Sequence, residues 1–265
     1  MTTGILVAFV LLTAVAVWAG YYALKTKAER HERGLFRAWP IPTVPLQRLD
    51  PVFEPGRFGP GLDTEVLFVG RGNIHVPGGT SDAEAWVLAV LAKRARAMFE
   101  VGTATGKTAY LWARNAPEGA EIVTMTLAPD QLSAYTSEAG DTRKDVRRAR
   151  EESAFTSFLY SGTPAELRIT QLFGDSKDLD VSPYENRFDL IFVDGSHAYS
   201  YVLSDSRKAL RMCAPGGLIL WHDYRGARRA KGVFRGLNEL ARELPLVHVA
   251  GTSFVAYRKP RANAE

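Results

Sequence analysis

The sequence predicts an α/β fold in which helices cover a mostly parallel β-sheet on both faces. Three features point to this fold. Short apolar runs alternate with amphipathic stretches, a glycine-bracketed turn follows one of the runs, and acidic residues stand at the ends of others. Parallel strands buried on both faces are built from such runs, because the crossover helices cover them. A ligand site is then expected beyond the carboxyl ends of the strands.

The predicted elements of this domain begin at residue 81. Residues 81–94 form a predicted helix, with Ser81 or Asp82 as its N-cap and a broad apolar face. Strands are predicted at residues 97–101, 121–126, 167–173, 188–193, 217–221, 245–250 and 253–258. Helices are predicted near residues 107–115, 143–158, 199–213 and 229–243.

The composition fits one globular domain with an appendage. A chain of 265 residues is long enough to bury a full α/β core. The single cysteine, Cys213, excludes an intramolecular disulfide and suits a reducing compartment. It precedes a Pro-Gly-Gly turn at a predicted helix end, so we interpret it as a buried packing residue and not as a nucleophile.

The first 24 residues carry no charged side chain and predict a helix that spans a membrane. The apolar run over residues 5–23 has about the length of roughly 20 residues that a bilayer requires. A cleaved signal peptide is the alternative, but its positive region should precede the apolar run, and here the basic residues follow it. By the positive-inside rule, an uncleaved anchor places everything after Lys25 in the cytoplasm.

Three regions are therefore predicted: an anchor over residues 1–24, a basic juxtamembrane and proline-rich stalk over residues 25–62, and a folded domain over residues 63–265. Residues 63–75 are expected to add a strand or to cover the domain. Five basic and two acidic residues between positions 25 and 37 account for most of the net charge of +4. The remainder is near neutral, so no nucleic-acid partner is expected.

A second basic cluster lies in the helix predicted over residues 143–158. Its cations are Arg143, Lys144, Arg147, Arg148 and Arg150. We interpret the cluster as a solvated helix face, and a docking site for a phosphate-bearing or membrane-bound substrate is the alternative.

The turn after the strand at residues 97–101 carries the most functional information. The strand ends near Glu100, the turn is bracketed by Gly102 and Gly106, and a helix begins near Thr108. Such a turn lets a nucleotide-like ligand approach the backbone and the free N–H groups of the helix. Its spacing lacks the Gly-x-Gly-x-x-Gly dinucleotide fingerprint and is one residue too short for a P-loop.

The acid-x-Gly-x-x-x-Gly pattern resembles motif I of the class I S-adenosylmethionine (SAM) methyltransferases. It is most similar to the metal-dependent O-methyltransferases, both the catechol and caffeoyl-CoA type and the antibiotic and sugar type. Residues 188–197 resemble the family's fourth strand and its terminal acid, residues 214–223 its Pro-Gly-Gly turn and fifth strand, and residues 246–257 its closing antiparallel pair. The resemblance implies a Rossmann-like sheet of seven mostly parallel strands with an antiparallel last strand.

The resemblance also implies a SAM site. Its amino-acid end is expected among Glu100, Gly102, Thr103 and Gly106. Asp175, in a Gly-Asp-Ser run that resembles the family's Gly-Asp-Ala, is expected to contact the adenine amine. Family members end the second strand with an acid that binds the ribose hydroxyls. Here Thr126 takes that position, and Asp130 in the following loop is the alternative.

Two carboxylates at strand ends predict a divalent-cation site. Asp194 ends the fourth strand and Asp223 follows the fifth, and these strands are neighbours in a doubly wound sheet. With His222 they form a candidate ligand set that favours Mg²⁺ or Mn²⁺. The His-Asp pair departs from the Asp-Asn and Glu-Asp pairs of the family. A packed strand-end histidine is therefore the alternative for His222, and a loop cap is the alternative for Asp194.

His197 is the candidate general base, with Asp194 beside it in the predicted catalytic pair. The Asp-Gly-Ser-His run resembles that of macrolide sugar O-methyltransferases, in which this histidine is the base. Methyl transfer from a sulfonium to a hydroxyl requires removal of a proton, and imidazole titrates near neutral pH. A loop histidine with only a structural role is the alternative.

These features predict a membrane-anchored SAM-dependent O-methyltransferase that faces the cytoplasm and acts on a hydroxyl of a sugar, glycan or lipid-linked acceptor. One alternative is a P-loop-like nucleotide hydrolase, because Gly-Lys-Thr and the apolar run into Asp194 resemble Walker features. The other is an inert methyltransferase fold that acts as a membrane scaffold, because the second-strand acid is missing. Neither the exact acceptor nor the oligomeric state is predicted.

Overall fold

A computed structural model of the chain describes residues 2–30, 40–56, 79–133 and 135–261. The chain forms two compact units, Met1–Pro40 and Ile41–Glu265. The strand or cover predicted over residues 63–75 lies outside the described residues, and so do residues 31–39 and 57–62 of the predicted stalk.

The first unit contains one helix, α1, over Thr2–Arg30. Its segment Gly4–Leu24 is apolar and long enough to cross a membrane. At about 1.5 Å of rise per residue, such a segment matches the hydrocarbon thickness of about 30 Å. Length and composition make this helix a candidate membrane span, and a signal sequence near the N-terminus has the same properties.

The second unit is built on a sheet of eight strands in the order β1-β7-β8-β6-β5-β2-β3-β4. The strands are β1 Thr43–Val44, β2 Ala97–Val101, β3 Glu121–Thr126, β4 Ile169–Phe173, β5 Phe188–Val193, β6 Cys213–Trp221, β7 Val247–Val249 and β8 Val255–Arg258. Neighbouring strands are parallel except for β8, which is antiparallel to both β6 and β7. The predicted α/β class and its antiparallel last strand are confirmed. The sheet has eight strands and not the predicted seven, because β1, in a segment that the sequence places in the stalk, pairs with β7 at its edge.

Helices follow most strands of this sheet. They are α2 Leu46–Leu49, α3 Asp82–Ala92, α4 Lys107–Asn115, α5 Arg143–Glu152, α6 Tyr199–Met212 and α7 Lys231–Leu240. Ser81 is the N-cap of α3, and its hydroxyl accepts from the Glu84 backbone at 3.3 Å. Helix α5 ends six residues before its predicted end at 158. The chain after it returns to the turn that follows β2, where the Leu159 amide donates to the Thr105 carbonyl at 2.9 Å.

The three central strands β2, β5 and β6 end at the same level of the sheet. Val101 pairs with Val193, and Val193 pairs with Trp221. The next residue of each strand, Gly102, Asp194 or His222, therefore emerges at one edge. Backbone hydrogen bonds continue across that level, since the Asp194 amide donates to Val101 at 2.8 Å and the His222 amide donates to Val193 at 3.1 Å.

Residues 41–56, which the sequence places in the stalk, contribute to the second unit. Strand β1 lies beside β7, and the His248 amide donates to the Pro42 carbonyl at 2.8 Å. The Phe53 side chain is buried, with its ring 5.5 Å from that of Trp86 in α3. Pro45 precedes α2 and Pro51 begins a short 3₁₀ helix, positions at which proline is tolerated. A proline-rich composition therefore does not by itself show that a segment is an extended stalk, since this one is part of the folded unit.

We predict that Phe53→Ala destabilises the second unit by about 3–5 kcal/mol, because it removes a buried aromatic ring and leaves a cavity. Urea unfolding of the full chain in detergent measures this loss. Leu167→Ala is the matched control, since that side chain is 92% exposed. Equal unfolding midpoints for the two variants would show that residues 41–56 are not an integral part of the folded unit.

Candidate active site

A cleft opens at the carboxyl edge of the sheet, in front of the ends of β2, β3, β5 and β6. It encloses about 970 Å³, part of it open to solvent, which is within the size range of cofactor sites. Six residues that the sequence predicts for the site lie along its walls: Gly102, Thr126, Asp175, Asp194, His222 and Asp223. The other four, Glu100, Thr103, Gly106 and His197, are not among the residues that line it.

Gly102 is where the chain enters the turn after β2. Its φ of 101° favours glycine, and a Cβ there would lie 2.2 Å from the carbonyl oxygen of Asp194. The absence of a side chain allows the turn to lie directly against the backbone after β5. The turn and the Asp194 carboxylate consequently line the same cleft.

Glu100 and Thr103 are buried behind the turn. The Thr124 hydroxyl donates to Glu100 at 2.6 Å and forms a second hydrogen bond of 2.8 Å with the Thr103 hydroxyl. Burial raises the pKa of Glu100 to about 8, against the Thr124 hydrogen bond that lowers it. These side chains support the turn from inside the sheet, and their direct contact with a cofactor stays a prediction.

Gly106 begins helix α4 with a φ of 79°. A Cβ at this position would lie 2.7 Å from the ring of Tyr160, so the residue is confined by packing. The neighbouring Lys107 is buried, and its ammonium group donates to the Thr80 carbonyl at 2.8 Å. That lysine is directed into the protein, which argues against the P-loop alternative.

Asp175 lies at the end of the cleft beyond β4. One carboxylate oxygen accepts from the Lys177 amide at 2.8 Å and the other accepts from the Tyr201 hydroxyl at 2.6 Å. The Tyr201 ring is stacked on that of Tyr135, with centroids 4.5 Å apart, and both rings line the cleft. They offer a flat apolar wall to a planar group. Sequence reasoning missed this pair, since neither tyrosine belongs to a motif.

At the ribose position of the predicted site, Thr126 ends β3 and lines the cleft. The alternative, Asp130, is exposed in a short 3₁₀ turn and is not among the lining residues. Of the two residues that the sequence leaves open, the geometry therefore favours Thr126.

His222 is surrounded by carboxylates. Its Nδ1 lies 2.8 Å from Asp194 and 3.6 Å from Asp223, and its Nε2 lies 3.3 Å from Glu84. Burial disfavours the charged imidazole, but Asp194, Asp223 and Glu84 together raise the pKa of His222 well above its usual value. The site thus holds a buried histidine with a carboxylate on each side of its ring.

Glu84 is a buried carboxylate of the site that the sequence analysis did not identify, because it lies within the helix predicted over residues 81–94. One of its oxygens accepts from the amide and the hydroxyl of Ser253, each at 2.7 Å, and the other accepts from Ser81. Burial opposes its ionisation, but the charge of His222 and hydrogen bonds from His222 and Ser253 hold the pKa of Glu84 well below its usual range. The only local signal is its position as the acid of the α3 capping box.

Asp223 lies close to one imidazole and two guanidinium groups at the cleft. Its carboxylate oxygens lie 2.6 Å from His197 Nε2 and 3.0 Å from Arg225 Nε, and the Arg148 guanidinium is 3.6 Å away. Burial alone would raise the pKa of Asp223, but the charges of His222, His197 and Arg225 hold it well below the usual value. Asp223 therefore stays ionised between His197 and the arginines.

The donor set fits a divalent cation. One oxygen or nitrogen atom from each of Asp194, His222 and Asp223 lies within 4.8 Å of the others. Nδ1 of His222 faces the two carboxylates, while its Nε2 is held by Glu84. A carboxylate on the far side of a ligating histidine is the usual arrangement at metal sites. These three residues could hold Mg²⁺ or Mn²⁺ at the base of the cleft.

The central region of the chain is similar to a known family of protein domains. Residues 99–224 match the family model described as a methyltransferase domain. This region runs from within β2 to the residues that follow β6 and contains all ten residues predicted for the site. No curated protein matches the chain.

Three solved structures illustrate the similarity. The O-methyltransferase TomG from Streptomyces achromogenes, in complex with SAM, is 20% identical, with a TM-score of 0.47 over 68% of this chain and 82% of its own. An O-methyltransferase from Bacillus cereus, in complex with SAH, is 18% identical, with a TM-score of 0.45 over 69% and 84%. The SAH-bound methyltransferase PaMTH1 from Podospora anserina is 19% identical, with a TM-score of 0.46 over 70% and 81%.

Proposed function

We propose that this chain, a SAM-dependent methyltransferase, transfers its methyl group to a hydroxyl oxygen and uses His197 as the general base. One observation carries the proposal. The His197 ring is bound through Nε2 to Asp223, which lines the cleft beside the turn at Gly102. Within the part of the chain that the structure describes, Nδ1 of His197 has no hydrogen-bond partner. A base oriented by a carboxylate is the usual arrangement for proton removal.

SAM is proposed to lie along the cleft from the Gly102 turn to Asp175. The turn brings the backbone close to the methionine end of the cofactor, and Thr126 lies where a ribose hydroxyl can donate or accept. The stacked rings of Tyr135 and Tyr201 supply an apolar face for the adenine. A SAM molecule held by these residues would present its methyl group to the part of the cleft that Asp194 and Asp223 line.

Methyl transfer then needs one proton acceptor. The acceptor oxygen attacks the methyl carbon, the carbon–sulfur bond breaks with its electron pair on sulfur, and the products are S-adenosylhomocysteine and a methyl ether. The hydroxyl proton passes to Nδ1 of His197, and the resulting imidazolium is stabilised by Asp223 at 2.6 Å. Asp223 also fixes the ring orientation, which leaves Nδ1 as the basic nitrogen.

A divalent cation is part of the same proposal, with Asp194, His222 and Asp223 as its ligands. When bound, such a cation polarises an acceptor hydroxyl and makes its proton easier to remove. The role of this chain is to present two carboxylates and one oriented imidazole on a single side of the cleft. Glu84 holds the imidazole from behind.

We also propose that α1 anchors the enzyme as a single-pass protein with its catalytic unit in the cytoplasm. The support is the length and composition of Gly4–Leu24 and the basic residues that follow it. A tether raises the concentration of enzyme near membrane-bound substrates, and it offers little for a freely diffusing metabolite. The proposed acceptor is therefore a hydroxyl of a glycan or a lipid-linked sugar.

His197→Ala is expected to lower the rate of methyl transfer by about two to four orders of magnitude while SAM affinity is retained. The rate is measured as transfer of label from SAM into a lipid and glycan extract, and the affinity is measured by calorimetry. His248→Gln is the control, because His248 is also buried but lies on β7, away from the cleft. A rate for His197→Ala within a few-fold of the parent would leave His197 a structural role only. Absence of SAM binding in the parent would favour the inert scaffold.

Chelation is expected to reduce methyl transfer, and added Mg²⁺ or Mn²⁺ is expected to restore it. Calorimetric titration with Mn²⁺ should show binding to the parent and a loss of binding in Asp194→Asn. Asp180→Asn is the control, since that carboxylate is exposed and outside the cleft. Undiminished transfer after chelation would remove the cation from the mechanism.

Protease treatment of intact cells is expected to leave the catalytic unit intact, with digestion only after lysis. This outcome follows from an uncleaved anchor with its basic flank in the cytoplasm. Recovery of a soluble form that lacks the first two dozen residues would show a cleaved signal sequence instead and would remove the argument for a membrane-bound acceptor.

A further inference from the structure

The segment from the end of β6 into the first turns of α7 is strongly basic. From residue 224 to residue 238 the sequence contains Arg225, Arg228, Arg229, Lys231 and Arg235 and no acidic residue. The proposed methyl transfer gives no role to Arg228, Arg229, Lys231 or Arg235, and Arg225 enters only as an ion-pair partner of Asp223. Such a concentration of one charge stands out because the net charge of the chain outside residues 25–37 is near neutral.

Two residues of this segment contact the proposed active site. At its start, Arg225 Nε lies 3.0 Å from Asp223. In the first turn of α7, Gly232 packs so closely on the His197 segment that a Cβ would lie 2.2 Å from the His197 carbonyl oxygen. Arg225 therefore lines the cleft, and Arg228 and Lys231 come from the stretch of chain between these two points of contact.

The segment has a defined shape. Gly226 has a φ of 85°, and its carbonyl accepts from the amides of Arg229 and Ala230, each at 3.1 Å. This tight turn leaves residues 227–229 exposed. Among residues 40–56, 79–133 and 135–261, neither Arg228 nor Lys231 has an ion-pair partner, so both charges are available to a ligand.

A further cation faces the same rim from α5. Arg148 lines the cleft, donates to Glu152 at 2.7 Å and lies 3.6 Å from Asp223. Arg147, its neighbour in sequence, is 74% exposed and pairs only loosely with Glu151 at 3.7 Å. Of the basic cluster on α5, Arg148 therefore faces the site, while Arg147 belongs to the solvated face of the helix.

We propose that Arg148, Arg225, Arg228 and Lys231, here called the basic rim, bind a phosphate group carried by the methyl acceptor. The inference rests on the proposed function, since it places the acceptor hydroxyl at His197. Guanidinium groups bind phosphate through paired charge-assisted hydrogen bonds, and two available cations suit a group with more than one negative charge. A cluster confined to one rim fits a single phosphate or pyrophosphate, whereas a polyanion requires a broad basic surface. The phosphate belongs either to a soluble sugar phosphate or to a lipid headgroup.

The test is calorimetric titration of the full chain in detergent with inorganic pyrophosphate. The double variant Arg228→Gln/Lys231→Gln should bind pyrophosphate about tenfold more weakly or worse, because each charge-assisted hydrogen bond contributes on that order. The double variant Arg94→Gln/Arg96→Gln is the matched control, since both side chains are exposed and precede β2, at the opposite edge of the sheet. Its pyrophosphate affinity should stay within about twofold of the parent.

Two further probes distinguish the sources of the phosphate. Glucose phosphate represents a soluble acceptor, and short-chain phosphatidylglycerol represents a lipid headgroup, with short-chain phosphatidylcholine as its neutral counterpart. Selective weakening of either probe in the Arg228→Gln/Lys231→Gln variant supports the basic rim and identifies the source. Equal affinities in the two double variants for pyrophosphate and for both phosphate probes would overturn the proposal. SAM affinity is measured in every variant, so a failed phosphate subsite is distinguishable from a failed methyltransferase site.

Discussion

The close contact between two backbone turns, one after β2 and one after β5, is the constraint on which the site depends. Gly102 lies against the Asp194 carbonyl at a distance that excludes a side chain, and the Asp194 amide donates to Val101 at 2.8 Å. The glycine turn and the carboxylate therefore cannot separate without breaking sheet hydrogen bonds. A cofactor held by the turn is then necessarily close to the strand-end acids.

The next level of organisation is electrostatic. A buried histidine lies among three carboxylates, of which Glu84 and Asp223 are buried and Asp194 is partly exposed. Such an arrangement is costly unless the charges compensate one another. Glu84 supplies part of this compensation and, through Ser253, ties the start of α3 to the segment before β8. Loss of one member would leave an uncompensated buried charge, so this cluster is as much a structural feature as a chemical one. A proton on His222, or a cation bound beside it, supplies positive charge that compensates these carboxylates.

The two ends of the cleft differ in chemistry, and we propose that one binds the cofactor and the other the acceptor. Around Thr126 and Asp175 the walls are hydroxyls, one capped carboxylate and stacked aromatic rings, which suit a nucleoside. Around Asp223 the walls are imidazole and guanidinium groups, which suit proton transfer and an anion. The two ends differ because they are built from different segments of the chain. The cationic end is formed by α5 and by the turn from β6 to α7.

The sequence by itself determined the α/β class, the order of the strands and helices from residue 81 onward, and the edge of the sheet at which the cleft opens. These features depend on local patterns, such as apolar runs and the Gly102 turn, which act over a few residues. Only the tertiary structure decided which side chains meet. His222 and Glu84 are 138 residues apart in the chain, and Tyr135 and Tyr201 come from different elements. No local pattern encodes such pairs, because they form only when the register of the sheet and the packing of helices bring distant segments together.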